Sequence, residues 1–195
     1  IFPSVFSALC AEYDPRRISK IFASHQDPDI ISSLSMWMEF NPDIKCYISW
    51  LWTGFVPHFG GTDETFIPIP DPGMDIPVGR ERLRAVPAHY LHSSGNLNLY
   101  DPKARILFSG DIGAALLPPG ESGLFVENFD RHIAHAEAFH RRWMGSERAK
   151  RDWCARVADM DVDMLCPQHG AIYRGDDVRR FIDWFAQLDV GAVKS

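Results

Sequence analysis

Short apolar runs followed by turn-forming residues recur along the chain, and each run predicts a buried strand. The predicted strands are Ile21-Phe22-Ala23, Lys45 to Leu51, Leu83 to Val86, Leu97 to Tyr100, Ile106 to Phe108 and Met164 to Cys166. Between them, apolar residues recur at three- and four-residue spacing, as on one face of a helix. The predicted helices run from about Asp29 to Phe40, from Ile133 to about Val157 and from Asp176 to Leu188. This alternation of strands and helices is typical of an α/β fold.

Turn and cap residues mark the ends of several predicted elements. Asp27 is expected to cap the first helix, with Pro28 at its first position. The segment Asp101-Pro102-Lys103-Ala104 has the composition of a hairpin turn. Gly60 to Gly79 is predicted to form a long loop or several short strands, and Gly110 to Asn128 a long loop.

The composition is that of an ordinary globular protein: 195 residues, 46% hydrophobic and 24% charged, can build a core that folds alone. A net charge of -6 argues against a protein that binds nucleic-acid backbones. No apolar run approaches the roughly 20 residues of a membrane-spanning helix, and Ile1 to Leu9 lacks the basic region of a signal peptide. Four cysteines without a CxxC pair favour a reducing compartment, so a cytoplasmic protein is expected.

Four of the predicted strands are followed by a tight turn that carries His or Asp. The turns are Ser24-His25-Gln26-Asp27-Pro28-Asp29, Ala88 to Asn96, Ser109-Gly110-Asp111 and Pro167-Gln168-His169-Gly170. Imidazole and carboxylate groups are the ligands that suit Zn, Fe and Mn, and strand ends hold such ligands on a rigid frame. Each turn alone has an ordinary structural explanation, but the set in this order indicates a metal site.

These motifs together resemble the metallo-β-lactamase superfamily. Zinc hydrolases of that superfamily, such as glyoxalase II, begin with His-x-His-x-Asp-His, whereas this chain has the acid Asp27 at the third position. With a carboxylate at this position, the motif resembles that of the flavodiiron proteins and their oxygen-binding di-iron relatives. The resemblance extends from about Ile1 to Phe185 and implies a metallo-β-lactamase-like αββα sandwich of the α/β class.

The resemblance implies a dinuclear site in which one carboxylate is shared by two metals. One metal would be held by His25, Asp27 and His92, the other by Asp29 and His169, and Asp111 would bridge them. A carboxylate at Asp27 adds negative charge, which favours two Fe ions, although Zn or Mn is also compatible. His89, three residues before His92, is expected to support the ligands from behind or to line the pocket.

Two features depart from the family pattern. The last position of the first motif is usually His but is Ile30 here, so one metal is expected to keep an open position. The fold normally has a β-rich segment ahead of the first motif, so we expect a single metallo-β-lactamase-like domain over residues 1–195 that lacks its N-terminal strands. The chain shows no flavodoxin-type phosphate loop, which predicts no flavodoxin domain and no FMN site.

Three other histidines belong to one predicted helix. His132, His135 and His140 lie on a predicted helix whose opposite side is apolar, so they are expected to form a solvated face.

Several functions fit this site. The first is a non-haem di-iron protein that binds or senses O₂ (or NO), and the missing flavin module favours it because O₂ is not then rapidly reduced. The second is an O₂ or NO reductase with an external electron donor, and the third a dinuclear zinc hydrolase. The fourth is a fold that serves only for interaction. A redox or signalling partner and a homodimer stay open, and neither nucleic acid nor a membrane is expected.

Overall fold

The computed structural model describes residues 2–191, and its strands and helices fall into two compact units that divide between Pro70 and Asp71. Both units contain strands and helices, so the α/β composition predicted from the sequence is confirmed. The longest helix among the described residues has 15 residues, and none is apolar and long enough to cross a bilayer.

The first unit is a three-stranded parallel sheet with short helices. Its elements are helix α1 (Phe2–Glu12), strand β1 (Lys20–Phe22), helices α2 (Pro28–Ile31) and α3 (Leu34–Phe40), strand β2 (Lys45–Ser49) and strand β3 (Phe66–Ile69). The strand order is β1-β2-β3, with Ile21 beside Cys46 and Tyr47 beside Ile67. The core of this unit consists of Ala23, Ile31, Leu34, Cys46, Ile48, Val56 and Phe66.

The single helix predicted from Asp29 to Phe40 is two helices in the structure. Ser33 leaves the helical path, with φ -94° and ψ 3°, and takes the N-cap position of α3. Serine favours helix ends over interiors because its hydroxyl competes for backbone hydrogen bonds. Ile31 before the break and Leu34 after it are almost fully buried in the same core.

The second unit is a six-stranded sheet with three helices. Its elements are strands β4 (Met74–Val78), β5 (Glu81–Pro87), β6 (Leu97–Asp101) and β7 (Ile106–Gly110), helices α4 (Phe129–Trp143) and α5 (Glu147–Ala158), strands β8 (Met164–Pro167) and β9 (Tyr173–Arg174), and helix α6 (Asp176–Gln187). Strands β4 to β7 are antiparallel neighbours, whereas β7 and β8 are parallel. A parallel pair needs a long crossover, and α4 and α5 provide it.

The sequence predictions differ from this unit at one helix and one strand. The continuous helix predicted up to Val157 is broken between α4 and α5, because Met144 is extended and fully buried and the Ser146 hydroxyl caps α5 by accepting from the Ala149 N–H at 3.2 Å. The segment Gly60 to Gly79 contains β3 and β4, as one of the two alternatives predicted. Strand β9 was not predicted, since two residues give no periodic signal.

The hairpin turn and the last helix are confirmed. The Asp101 carboxylate accepts from the N–H groups of Lys103 and Ala104 at 2.9 and 3.0 Å. Helix α6 buries its predicted apolar face, which consists of Val178, Phe181, Ile182 and Phe185. These side chains pack in the core of the second unit with Tyr173 and Trp153.

We expect Phe181→Ala to lower the free energy of unfolding by about 3–5 kcal/mol, because the ring is fully buried and its removal leaves a cavity. Phe108→Ala is the control in the same unit, since that ring is 46% exposed; its expected cost is below about 1 kcal/mol. Urea denaturation of both variants measures the difference. Equal losses would show that α6 does not anchor this core.

Candidate metal centre

His25 is held at the end of β1 in the first unit. The Ala23 N–H donates to the Tyr47 carbonyl at 2.9 Å, which extends the pairing with β2 up to the turn. His25 is 1% exposed, and its Nδ1 lies 2.9 Å from the Ser24 hydroxyl. Its Nε2 lies 3.7 Å from Oδ2 of Asp27. The local fold therefore brings these two candidate ligands together and engages the other ring nitrogen with Ser24.

Asp27 takes the N-cap position of α2, as predicted, but its side chain does not cap. The Asp27 carbonyl accepts from Ile30 and Ile31, while the carboxylate accepts from the Gln26 side chain at 3.1 Å and faces His25. Asp29 lies two residues further on, exposed, in the first turn of α2.

The second unit presents His92 from a strained turn. Tyr90 and His92 have φ values of +63° and +74°, a region that costs a non-glycine residue of order 1–3 kcal/mol. The turn is fixed by three hydrogen bonds: Tyr90 N–H to the Ser93 carbonyl at 2.8 Å, Gly145 N–H to the Tyr90 carbonyl at 3.2 Å, and the Asn96 amide to the Leu91 carbonyl at 2.7 Å. Strain that is maintained so firmly is typical of a functional position.

Two aromatic rings of α4 lie against the His92 imidazole. Trp143 meets it edge-on, with ring centroids 5.1 Å apart, and Phe139 lies at 6.1 Å. On the other side, His92 Nε2 lies 3.4 Å from Oδ2 of Asp111. The packing therefore directs one ring nitrogen towards a buried carboxylate.

Asp111 follows β7, directly after a bulge between Phe108 and Gly110. The Ile112 N–H donates to the Ser109 carbonyl, and the Ser109 hydroxyl donates back to the Ile112 carbonyl at 2.6 Å. The carboxylate is buried, with Oδ2 facing His92 and Oδ1 lying 3.9 Å from Nε2 of His169. Its two oxygens thus face two different imidazoles.

His169 lies in the turn after β8, and its side chain is 42% exposed. Its carbonyl accepts from the Ala115 N–H at 3.2 Å. The next residue, Gly170, has φ +92°, and a Cβ there would lie 3.0 Å from the backbone of Ala115. Glycine is therefore required for the close approach that places His169 beside the Asp111 loop.

His89 contacts a backbone carbonyl outside the candidate ligands. Its Nε2 lies 2.8 Å from the carbonyl oxygen of Asp71. A supporting role for His89 at the metal ligands stays a prediction.

The solvated face predicted for α4 is wrong for two of its three histidines. His132 and His140 are 6% and 0% exposed, whereas His135 is partly buried. Both buried rings contact aromatic neighbours: His132 lies edge-on to Tyr173 at 5.2 Å, and His140 to Phe185 at 5.1 Å. Burial lowers the pKa of His140 to about 4, and it also lowers the pKa of His132, with a smaller contribution from His135.

The chemistry of these donors suits a metal ion. The candidate ligand atoms are the imidazole and carboxylate groups of His25, Asp27, His92 and Asp111. Groups of this kind bind Fe, Zn and Mn, and the buried carboxylate of Asp111 favours a bound cation electrostatically.

Comparison with known proteins identifies the family. A profile described as ODP family beta lactamase matches residues 1–170. The chain belongs to this ODP family. It is 38% identical to a solved structure described as the peroxy diiron species of chemotaxis sensor ODP, with a TM-score of 0.90 over 98% of this chain and 80% of that one. The apo state of chemotaxis sensor ODP from T. denticola is 39% identical, with a TM-score of 0.91 over 97% of this chain and 78% of the other.

More distant relatives share the fold. A flavo di-iron protein from Thermotoga maritima is 23% identical, with a TM-score of 0.80 over 93% of this chain and 45% of that one. An uncharacterised protein of Methanocaldococcus jannaschii is 26% identical over 94% of this chain and 47% of its own length. The chain thus spans about half the length of that curated relative. The metallo-β-lactamase-like fold and the resemblance to the di-iron branch are confirmed.

The buried His140 predicts a pH dependence of stability in this ODP-family chain. Its pKa is about 4 in the folded state against an ordinary 6.5, so the unfolded chain binds a proton first as the pH falls. The contribution is fully present above pH 6.5 and is lost between about pH 6.5 and 4, amounting to about 3 kcal/mol. Urea denaturation of the metal-free protein across this range measures it.

The matched variant is His140→Gln, which has no titrating ring. We expect its stability to fall less than that of the unaltered protein over the same pH range. Parallel curves would show that His140 titrates normally in the folded state.

Proposed function

We propose that this chain is a non-haem di-iron protein that binds O₂ and acts as a sensor. The observation that carries the proposal is the carboxylate of Asp27 beside the buried His25, where zinc hydrolases of this superfamily have a second histidine. The likeness to the peroxy diiron species of chemotaxis sensor ODP, at 38% identity, supports the same assignment.

The proposed ligands are those that the motifs imply. His25, Asp27 and His92 would hold one iron, Asp29 and His169 the other, and Asp111 would bridge them. The bridging assignment is supported by the two oxygens of Asp111, each of which faces a different imidazole. A carboxylate can span two metals about 3.5–4 Å apart. Asp27, Asp29 and Asp111 together would offset most of the charge of two ferrous ions, and the iron pair would supply the electrons for O₂ binding.

Protein groups around these ligands suit the assignment. A histidine that binds a metal through one nitrogen donates the other N–H to a neighbour, and for His25 that neighbour is the Ser24 hydroxyl. Ile30, which stands where the family has a histidine, is partly buried and packs against the core of the first unit. An apolar side chain at that position supplies no ligand and would leave room for a small molecule such as O₂ or NO.

The setting is proposed to be the cytoplasm. All four cysteines are free, and the pKa of the Cys46 and Cys154 thiols is raised to about 12 by burial. Unpaired cysteines suit a reducing compartment. The related chemotaxis sensor supports a signalling protein as the partner that reads the O₂ state.

We expect Asp111→Asn to lower iron content from about two per chain to below about one, because the neutral amide is a poor bridging ligand. The control is Asp183→Asn, which alters an exposed carboxylate of α6 and should leave iron content unchanged. Metal analysis after anaerobic loading with Fe²⁺ gives the answer. Full occupancy in the Asp111 variant would contradict the bridging role.

The proposed function is tested by recording the optical spectrum of iron-loaded protein before and after O₂ is admitted without an electron donor. A lasting new visible band, with about two iron ions per chain, supports O₂ binding. No change with iron, together with tight zinc binding and ester hydrolysis, would overturn the proposal in favour of a hydrolase. Rapid catalytic O₂ consumption on adding a reduced donor would favour a reductase.

A further inference from the structure

A fully buried histidine of helix α4 is hydrogen-bonded to the turn that carries Asp111. His140 is 0% exposed, and its Nε2 accepts a hydrogen bond from the Gly113 N–H at 2.9 Å. Its Nδ1 lies 2.8 Å from the Ala136 carbonyl, to which it must donate. Both nitrogens are therefore engaged, which fixes the neutral tautomer with its proton on Nδ1.

The carbonyl of the same glycine is also hydrogen-bonded. The Tyr173 hydroxyl of β9 donates to the Gly113 carbonyl at 3.1 Å. Gly113 has φ +98°, and a Cβ there would lie 2.9 Å from the Leu165 side chain, so only glycine fits. Two buried side chains from two elements thus fix the residue two positions after Asp111.

The surroundings of His140 are otherwise aromatic. Trp184, Phe185 and Phe181 lie 5.5, 5.1 and 5.8 Å from its ring. An apolar side chain would fill this space without the cost of burying two polar nitrogens. What the imidazole adds is an acceptor for the Gly113 N–H, in a turn where Ala114 N–H also returns to the Asp111 carbonyl at 3.1 Å.

We propose that His140 is a positioning residue for Asp111: by holding Gly113, it sets the direction in which the carboxylate meets its metals. The proposal rests on the proposed function, because it assigns a purpose to the rigidity of a metal-binding turn. Residues that orient a ligand without touching the metal contribute about 10–100-fold to metal affinity.

The test compares Fe²⁺ affinity, measured anaerobically by competition with a chelator, between His140→Leu and His140→Gln. The leucine variant removes the acceptor for Gly113 and should weaken iron binding about 10–100-fold. The glutamine variant offers a carbonyl oxygen near the position of Nε2 and should retain affinity to within about threefold. The X-ray absorption spectrum at the iron edge should likewise change in His140→Leu and not in His140→Gln.

The variant Phe185→Leu distinguishes a positioning role of His140 from a purely structural one. It loosens the packing against the imidazole but leaves the hydrogen bond to Gly113. It should lower stability without weakening iron binding. Equal losses of affinity in Phe185→Leu and His140→Leu would overturn the proposal, as would full affinity in His140→Leu. If His140→Leu does not fold, His140→Asn replaces it, because its shorter amide does not reach Gly113. Failure of the unaltered protein to bind iron would overturn the proposed function itself, and this inference with it.

Discussion

The buried carboxylate of Asp111 imposes a strict physical demand on the second unit. An ionised carboxylate loses several kcal/mol of hydration when it is removed from water, unless positive charge or hydrogen bonds compensate it. Here the group lies between the imidazoles of His92 and His169, in a turn whose backbone is fixed on several sides. A bound cation recovers the lost hydration most directly, so metal binding and the stability of this turn should be linked.

The elements of the second unit can be understood as supports for that turn and its neighbours. The bulge in β7 interrupts the strand pairing just before Asp111. The turn that holds His92 at positive φ is fixed by hydrogen bonds in which the Ser93 carbonyl accepts and the Gly145 N–H and the Asn96 amide donate. Strain in a backbone persists only where the surrounding structure determines it. Helix α4 contributes at two points, with Trp143 against the His92 ring and His140 on the Asp111 turn.

Much of the fold could be predicted from the sequence, because strand-end motifs are local and distinctive. The same motifs supplied the candidate ligands, and that set stays a prediction. The apolar face of α6 and the Asp101 turn also depend on neighbouring residues, and both were correct. The burial of His140 could not be predicted, since imidazole suits solvent and core alike until its partners are known. Its bond to Gly113 joins residues 27 positions apart, a contact that no helical periodicity reveals. The break at Ser33 and the two-residue strand β9 were not predicted because their local sequence signals are weak.

Asp111 is proposed to join two iron ions in one centre. X-ray absorption at the iron edge of protein loaded anaerobically with Fe²⁺ tests it without relying on activity or colour. We expect an iron–iron distance of roughly 3.5–4 Å that disappears in Asp111→Asn. Iron atoms with only light-atom neighbours in the unaltered protein, at full loading, would contradict it.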